Sequence, residues 1–199
     1  DHYMDLDADL VLHRRMKAGP NRMEMYKLLN LIGLKTPKFG MVAELYKDLG
    51  TQNGGVAGLK ASGYGKLMEV VVFTDINAHA GDGKLKMTLD EARETYPGHF
   101  AAQYIPTART YASRTERVVV AGDYQYWLEY KSMDDWRSNA GETTIADLDT
   151  RFNPGLHGNI HEIRSPLYAI DFVAVGHERL AIDLNVSPGL RGTPIEHEV

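Results

Sequence analysis

Leu167-Tyr-Ala-Ile-Asp-Phe-Val-Ala-Val-Gly-His-Glu-Arg-Leu-Ala-Ile-Asp-Leu-Asn-Val-Ser-Pro-Gly-Leu-Arg-Gly-Thr193 is the stretch whose reading decides the fold. Two apolar runs, Leu167 to Val175 and Leu180 to Leu184, each carry a carboxylate where a core strand would carry none, Asp171 and Asp183. The polar turn Gly176-His177-Glu178-Arg179 lets the runs pair as antiparallel neighbours. Asn185 follows Asp183 at i+2, and residues two apart on a strand share a face. Asp171, Asp183 and Asn185 can therefore converge as three oxygen donors, a set that suits Mg²⁺, which takes one or two carboxylates and completes its octahedron with phosphate and water. The alternative is two strand-end aspartates facing water, with Asn185 forming the turn before Ser187-Pro188-Gly189.

The rest of the chain bounds the possibilities. Its 199 residues suffice for one domain or two small lobes. Apolar residues at 43% and charged ones at 25% are ordinary for a soluble globular protein. A net charge of −5 argues against non-specific nucleic-acid binding. Without cysteine there are neither disulfides nor thiolate metal sites. No apolar run reaches membrane-spanning length and no signal peptide is visible, so a cytoplasmic protein without a membrane partner is expected.

In chain order, residues 1–20 read as an acidic strand with a basic exit. A helix is expected over Arg22–Leu31, capped by Asn21 and ended by Gly33, and a second over 41–49. Strands are expected from Val56 and over Glu69–Phe73, joined by the glycine turn of Lys60-Ala-Ser62-Gly63-Tyr-Gly65-Lys66. That turn is not a P-loop, but its backbone N–H groups and flanking lysines can fold over phosphates; a plain hairpin is the alternative. Residues 75–90 read as loop, Thr88 and Glu91 as a capping box, Phe100–Pro106 as a strand, and Arg117–Glu129 as a hairpin about Gly122-Asp123. Residues 131–141 read as too polar for core, and residues 142–166 as free of long helices. His157 and His161 read as surface histidines. The fold class is α+β.

Taken together, these pieces resemble the ATP-grasp superfamily, most closely its carboxylate–amine ligases of the ribosomal-S6 glutamate ligase type. Leu180-Ala-Ile-Asp-Leu-Asn-Val-Ser-Pro-Gly189 is similar to the family's acid–x–Asn–x–Ser/Thr–Pro–Gly strand, and Ala169-Ile-Asp-Phe-Val173 to the strand before it. Trp136-Arg-Ser-Asn139 resembles an aromatic–Arg–Ser/Thr–Asn segment, Gln103-Tyr104-Ile105 the hinge, and Leu59-Lys60 with Gly63 and Gly65 the mobile loop.

The resemblance implies two α+β lobes with nucleotide between them: residues 1–20 as an N-terminal extension, 21–102 as the small lobe with the glycine loop, and 103–199 as the C-terminal lobe with the metal site. The N-terminal pre-ATP-grasp domain is expected to be missing or vestigial. The resemblance also implies Mg²⁺, or Mn²⁺ in its place, on Asp171, Asp183 and Asn185. Arg22, Lys60, Ser62, Gly63, Gly65, Gln103, Tyr104 and Ile105 would hold ATP, and Arg117 and Arg137 would face developing phosphate charge. The implied reaction joins a small-molecule or peptide carboxylate to an amine through an acyl phosphate. The alternatives are a nucleotide-binding or assembly protein that keeps the fold without turnover, and a purely structural α+β domain. A homo-oligomer or larger assembly is admitted. Arg22 stands where the family usually has lysine, Gln103 where it has the hinge glutamate, Thr107 where an acid often grips the ribose, and Asp183 where glutamate is usual.

Overall fold

A computed structural model describes residues 20–52, 68–77, 83–107, 112–148 and 158–197. The N-terminal extension, the strand expected from Val56, Lys60, Ser62, Gly63, Gly65 and His157 lie outside the described residues. The backbone divides into two compact units. One comprises Pro20–Lys27 and Thr36–Ile105, and the other Leu28–Lys35 together with the chain from Pro106 onward. Among the described residues no helix is long and apolar enough to cross a membrane.

The first unit is built on a four-stranded antiparallel sheet of order β1-β4-β2-β3: β1 (Phe39–Met41), β2 (Glu69–Phe73), β3 (Lys84–Thr88) and β4 (Phe100–Gln103). Helices α2 (Val42–Gln52) and α3 (Leu89–Thr95) are its other elements, and α1 (Arg22–Leu31) begins in it. Val42, Leu45, Val70, Val72, Leu89 and Ala101 form its core. The capping box forms as expected: Thr88 Oγ1 accepts from the Glu91 N–H, and Glu91 Oε2 from the Thr88 N–H. The loop expected over 75–90 is corrected by β3, which pairs with β2 from Phe73↔Lys84 to Glu69↔Thr88. Its charged residues lie over aromatic rings rather than in open water. The Lys86 ammonium stands 4.5 Å from the Tyr104 ring centroid and that of Lys84 5.9 Å from Phe73.

The second unit is a five-stranded antiparallel sheet of order β7-β6-β5-β8-β9. Its strands are β5 (Ser113–Ala121), β6 (Tyr124–Ser132), β7 (Thr143–Asp147), β8 (Leu167–Val175) and β9 (Glu178–Asn185). Side chains alternate between its two faces. The even-numbered face of β5 and β8 buries Val118, Ile170 and Phe172, with Trp127 of β6 5.7 Å from the Phe172 ring. The odd-numbered face buries Val119 and Ala169 with Leu128 and Tyr130, closed by Ile195 and Leu190 of the C-terminal segment. Gly158 packs where a Cβ would stand 2.5 Å from the Leu34 nitrogen, so only glycine fits against that backbone. Between Asn139 and Asp171 the described residues hold β7 and one short 3₁₀ turn, Ile160–Glu162.

Residues 131–141 are a correction in part: Ser132 is fully buried and Ser138 nearly so. Their hydroxyls are satisfied, which removes the penalty for burying them. Ser132 Oγ donates to the Ala140 carbonyl (2.7 Å), and Ser138 Oγ shares a hydrogen bond with Thr115 Oγ1 (2.5 Å).

Candidate functional site

The opening hairpin forms with a tighter turn than the one read from the sequence: β8 and β9 pair antiparallel about Gly176-His177, with Gly176 at a φ of +60° that suits glycine, and Glu178 and Arg179 already pair with Val175 and Ala174. Its register sets Asp171 opposite Asp183, with a β-bulge next to the pair. On the other side of β8, Asp171 is in register with Arg117 of β5. One sheet face therefore carries a row across three strands, Arg117–Asp171–Asp183. Arg117 grips Asp171 with both donors of its fork, Nε to Oδ1 at 2.6 Å and Nη2 to Oδ2 at 2.9 Å. The pair is largely buried, with side-chain exposures of 12% for Arg117 and 18% for Asp171. Asp171, and more weakly Asp183, raise the Arg117 pKa further above its already high value, so this guanidinium is a permanent cation.

Tyr130 of β6 flanks the row diagonally from Arg117, and nothing in the sequence marked it. Its ring centroid lies 4.7 Å from the Arg117 guanidinium carbon, and its Oη accepts from Arg117 Nη1 at 3.4 Å. Burial holds its phenol above the usual tyrosine value, against the opposing pull of Arg117. The β5–β6 hairpin about Gly122-Asp123 brings this neighbour in locally, whereas Asp171 arrives from much later in the chain.

Asn185 follows on β9, but it is exposed, and its Oδ1 accepts from the Ser187 N–H at 2.9 Å. Arg137 sits in the loop after β6. Ser113 Oγ donates to the Asp135 carbonyl (2.7 Å), and the Thr115–Ser138 bond pins the same loop to β5 just before Arg117. Gly141 closes that loop at φ +67°, where a Cβ would meet Asp134 Oδ1 at 2.1 Å. Arg137 is partly exposed and binds Asp135 through Nε (3.0 Å) and Nη2 (2.9 Å), which holds the Asp135 carboxyl below its usual range. The described contacts join Arg117, Asp171 and Tyr130 directly, with Asp183 next in register; Arg137 and Asn185 are held by other partners.

In the first unit, Arg22 is buried with its guanidinium 5.5 Å from the Phe73 centroid and its N–H bonded to the Ile76 carbonyl (3.0 Å). The N–H of Gln103 donates to the Lys38 carbonyl (2.7 Å) and that of Tyr104 to Glu69 (2.9 Å). Burial, and then the charge of Glu69, raise the Tyr104 pKa. Thr107, in the second unit, accepts the Arg114 N–H on its Oγ1 at 2.8 Å.

The opposite face of the C-terminal sheet holds a second charged group that the sequence did not announce. Glu116 and Glu129 face each other in register, both buried. Arg179 Nε donates to Glu116 Oε2 at 2.6 Å, Arg114 Nε to Glu129 Oε1 at 2.5 Å, and Lys131 also pairs with Glu129.

The residues of the first face fit a hard divalent cation in the chemistry of their donors, two facing carboxylates and a nearby amide oxygen. Among the described residues no group of three or more histidine, cysteine or acidic side chains forms a complete metal cage.

The fold is that of the ATP-grasp ligases. The structure of the ATP-grasp ligase PsnB complexed with a minimal precursor superposes with a TM-score of 0.57 at 14% identity, covering 94% of this chain and 58% of that one. The macrocyclase MdnC bound with precursor peptide MdnA, from Microcystis aeruginosa, gives 0.48 at 14% identity over 88% and 56%. D-alanine–D-alanine ligase from Bacillus anthracis complexed with ATP gives 0.47 at 12% over 85% and 55%. The chain thus spans less than two thirds of each neighbour's length. No family model matches the sequence, and no curated protein does.

Proposed function

We propose that the chain is the ATP-grasp part of an ATP-dependent carboxylate–amine ligase. The observation that carries this reading is the Arg117–Asp171–Asp183 row, in register across three strands of a sheet with the ATP-grasp fold. Phosphoryl transfer asks a protein mainly for positioning and charge neutralisation. Bound ATP with Mg²⁺ or Mn²⁺ would supply the transferable phosphoryl group. Asp171 and Asp183, with Asn185, would hold the cation. Arg117 and Arg137 would offset negative charge as a substrate carboxylate takes the γ-phosphoryl group and ADP leaves, giving an acyl phosphate; an amine would then attack its carbonyl carbon and, losing a proton, displace phosphate to form the amide. Gln103, Tyr104 and Ile105 would line the base, and Arg22 would support that unit from Phe73. Lys60, Ser62, Gly63 and Gly65 enter on the sequence alone, as the loop that closes over phosphate. The acid and amine would be small molecules or peptide groups.

A second reading has its own observation. The Asn185 amide oxygen accepts the Ser187 N–H and the Thr107 hydroxyl the Arg114 N–H, so each spends one of its two lone pairs within the fold. Both suit a protein that binds nucleotide without ligating. ADP release from MgATP, measured with pooled carboxylates and amines, separates the two. Release that depends on both an acid and an amine and is lost in Asp183→Asn supports the ligase. ATP binding without release supports the second reading, and the absence of ATP binding overturns both.

A further inference from the structure

Resting on that reading, we infer that the Arg117–Asp171 pair is an exchange latch that makes cation and polyanion binding at this site depend on each other. Asp171 stands in the middle of its row, with the Arg117 cation in register on one side and the Asp183 carboxylate on the other. Both oxygens of Asp171 are committed to Arg117, at 2.6 and 2.9 Å.

Consider each ligand arriving by itself. A divalent cation that draws Asp171 toward Asp183 must strip it from a guanidinium whose side chain is 12% exposed, leaving that charge enclosed without its carboxylate. A polyphosphate that draws Arg117 away leaves the Asp171 carboxylate, 18% exposed at its side chain, without its guanidinium. When the two ligands arrive together, the cation takes Asp171 while the anion takes Arg117, and every charge finds an opposite. Tyr130 makes the exchange feasible. Its ring, 4.7 Å from the guanidinium, keeps Arg117 on the sheet face while its carboxylate partner turns. Tyr130 is thus a positioning residue for Arg117. The device would keep the site closed to free metal ions and to metal-free polyphosphate.

The sign of two binding changes tests the latch. Mn²⁺ binding to the full chain is followed by the paramagnetic resonance of the unbound ion, with no anion present. Tripolyphosphate binding is followed by calorimetry in EDTA. Arg117→Met should bind Mn²⁺ about tenfold more tightly than wild type, because Asp171 is freed, and Asp171→Asn should bind tripolyphosphate about tenfold more tightly, because Arg117 is freed. Such changes sit within the roughly 5- to 150-fold span of coupled sites. A merely structural ion pair would weaken both affinities when broken. If wild type binds Mn²⁺ with ATP but neither variant gains affinity for its single ligand, the latch falls and the functional reading stands. If wild type binds neither Mn²⁺ nor ATP, alone or together, both fall. Circular dichroism identifies a variant that fails to fold, and the other variant then decides.

Discussion

The two faces of the C-terminal sheet carry charge in opposite proportions. On the even-numbered face, Glu116 and Glu129 are enclosed by Arg114, Lys131 and Arg179, so cations outnumber acids. On the odd-numbered face, the register of the described strands sets one cation, Arg117, in a row with two acids, Asp171 and Asp183. Both groups rest on the same strands, β5 and its neighbours, and both are partly withdrawn from water. On the proposed function, their difference would separate a charge cluster that finishes a fold from one that takes a ligand. Buried carboxylates matched by hydrogen-bonded cations are self-sufficient, whereas an acid excess needs a positive charge from outside.

The largest expected effect on stability tests the self-sufficient face. Glu116→Ala removes the carboxylate that Arg179 grips at 2.6 Å and leaves that guanidinium, 15% exposed at its side chain, without it. Breaking a buried pair from one side typically costs about 3–5 kcal/mol. Denaturant melts should place Glu116→Ala within that range below wild type. A loss under about 1 kcal/mol would mean that the cluster is solvated and the contrast between faces is wrong.

Acid titration gives the next effect. Burial pushes the Glu129 carboxyl up, but the hydrogen bonds and charges of Lys131 and Arg114 outweigh it and hold the pKa below 4.5. The unfolded chain therefore takes up this proton at a higher pH than the folded one. The stabilisation is complete above that ordinary value and is lost as pH falls through it toward the lowered one. The stability difference between wild type and Glu129→Gln should be constant near neutrality and shrink as pH drops below about 4.5. A difference that grows on acidification would reverse the assignment.

How much of this was open to reading from the sequence depends on how far apart the partners lie. The pairing of the Asp171 and Asp183 strands was legible because a short turn joins them, but their register was not, since it needs the two-residue turn Gly176-His177 and the β-bulge beside Asp171; the capping box of Thr88 and Glu91 was legible because it is local. Strand β3 was hidden, since its lysines resemble loop residues until Phe73 and Tyr104 are known to lie beneath them. The Arg117–Asp171 bond joins residues 54 apart in sequence and Glu116–Arg179 residues 63 apart. No periodicity encodes such pairs. They exist only once the order β6-β5-β8-β9 is set. Tyr130 was missed for another reason: the β5–β6 hairpin brings it to Arg117 locally, but a tyrosine in an apolar strand reads as core, which it also is.

Tyr130→Phe probes the odd-numbered face with a smaller perturbation. It keeps the ring under Arg117 and removes a long hydrogen bond of 3.4 Å, so stability should fall by no more than about 0.5–1.5 kcal/mol. Tyr130→Leu also removes the ring and should lower the affinity for Mn²⁺ with ATP further than Tyr130→Phe does. Equal affinities in the two variants would show that the ring does not position Arg117.

The smallest expected change in stability falls where the change in function should be greatest. Asp183 faces another carboxylate across the strand pair, and its direct neighbour already has the arginine. Asp183→Asn keeps the side chain's shape and removes one of two like charges, so the melting curve should stay within about 0.5 kcal/mol of wild type. The same substitution removes half of the carboxylate pair proposed to hold the cation, so MgATP-dependent ADP release should disappear. A structural acid behaves the other way round, as Glu116 should: its loss unfolds the protein before it silences anything. If Asp183→Asn destabilises the chain as much as Glu116→Ala, the two faces are alike, and the acid excess on the odd-numbered face belongs to the fold instead of to a ligand.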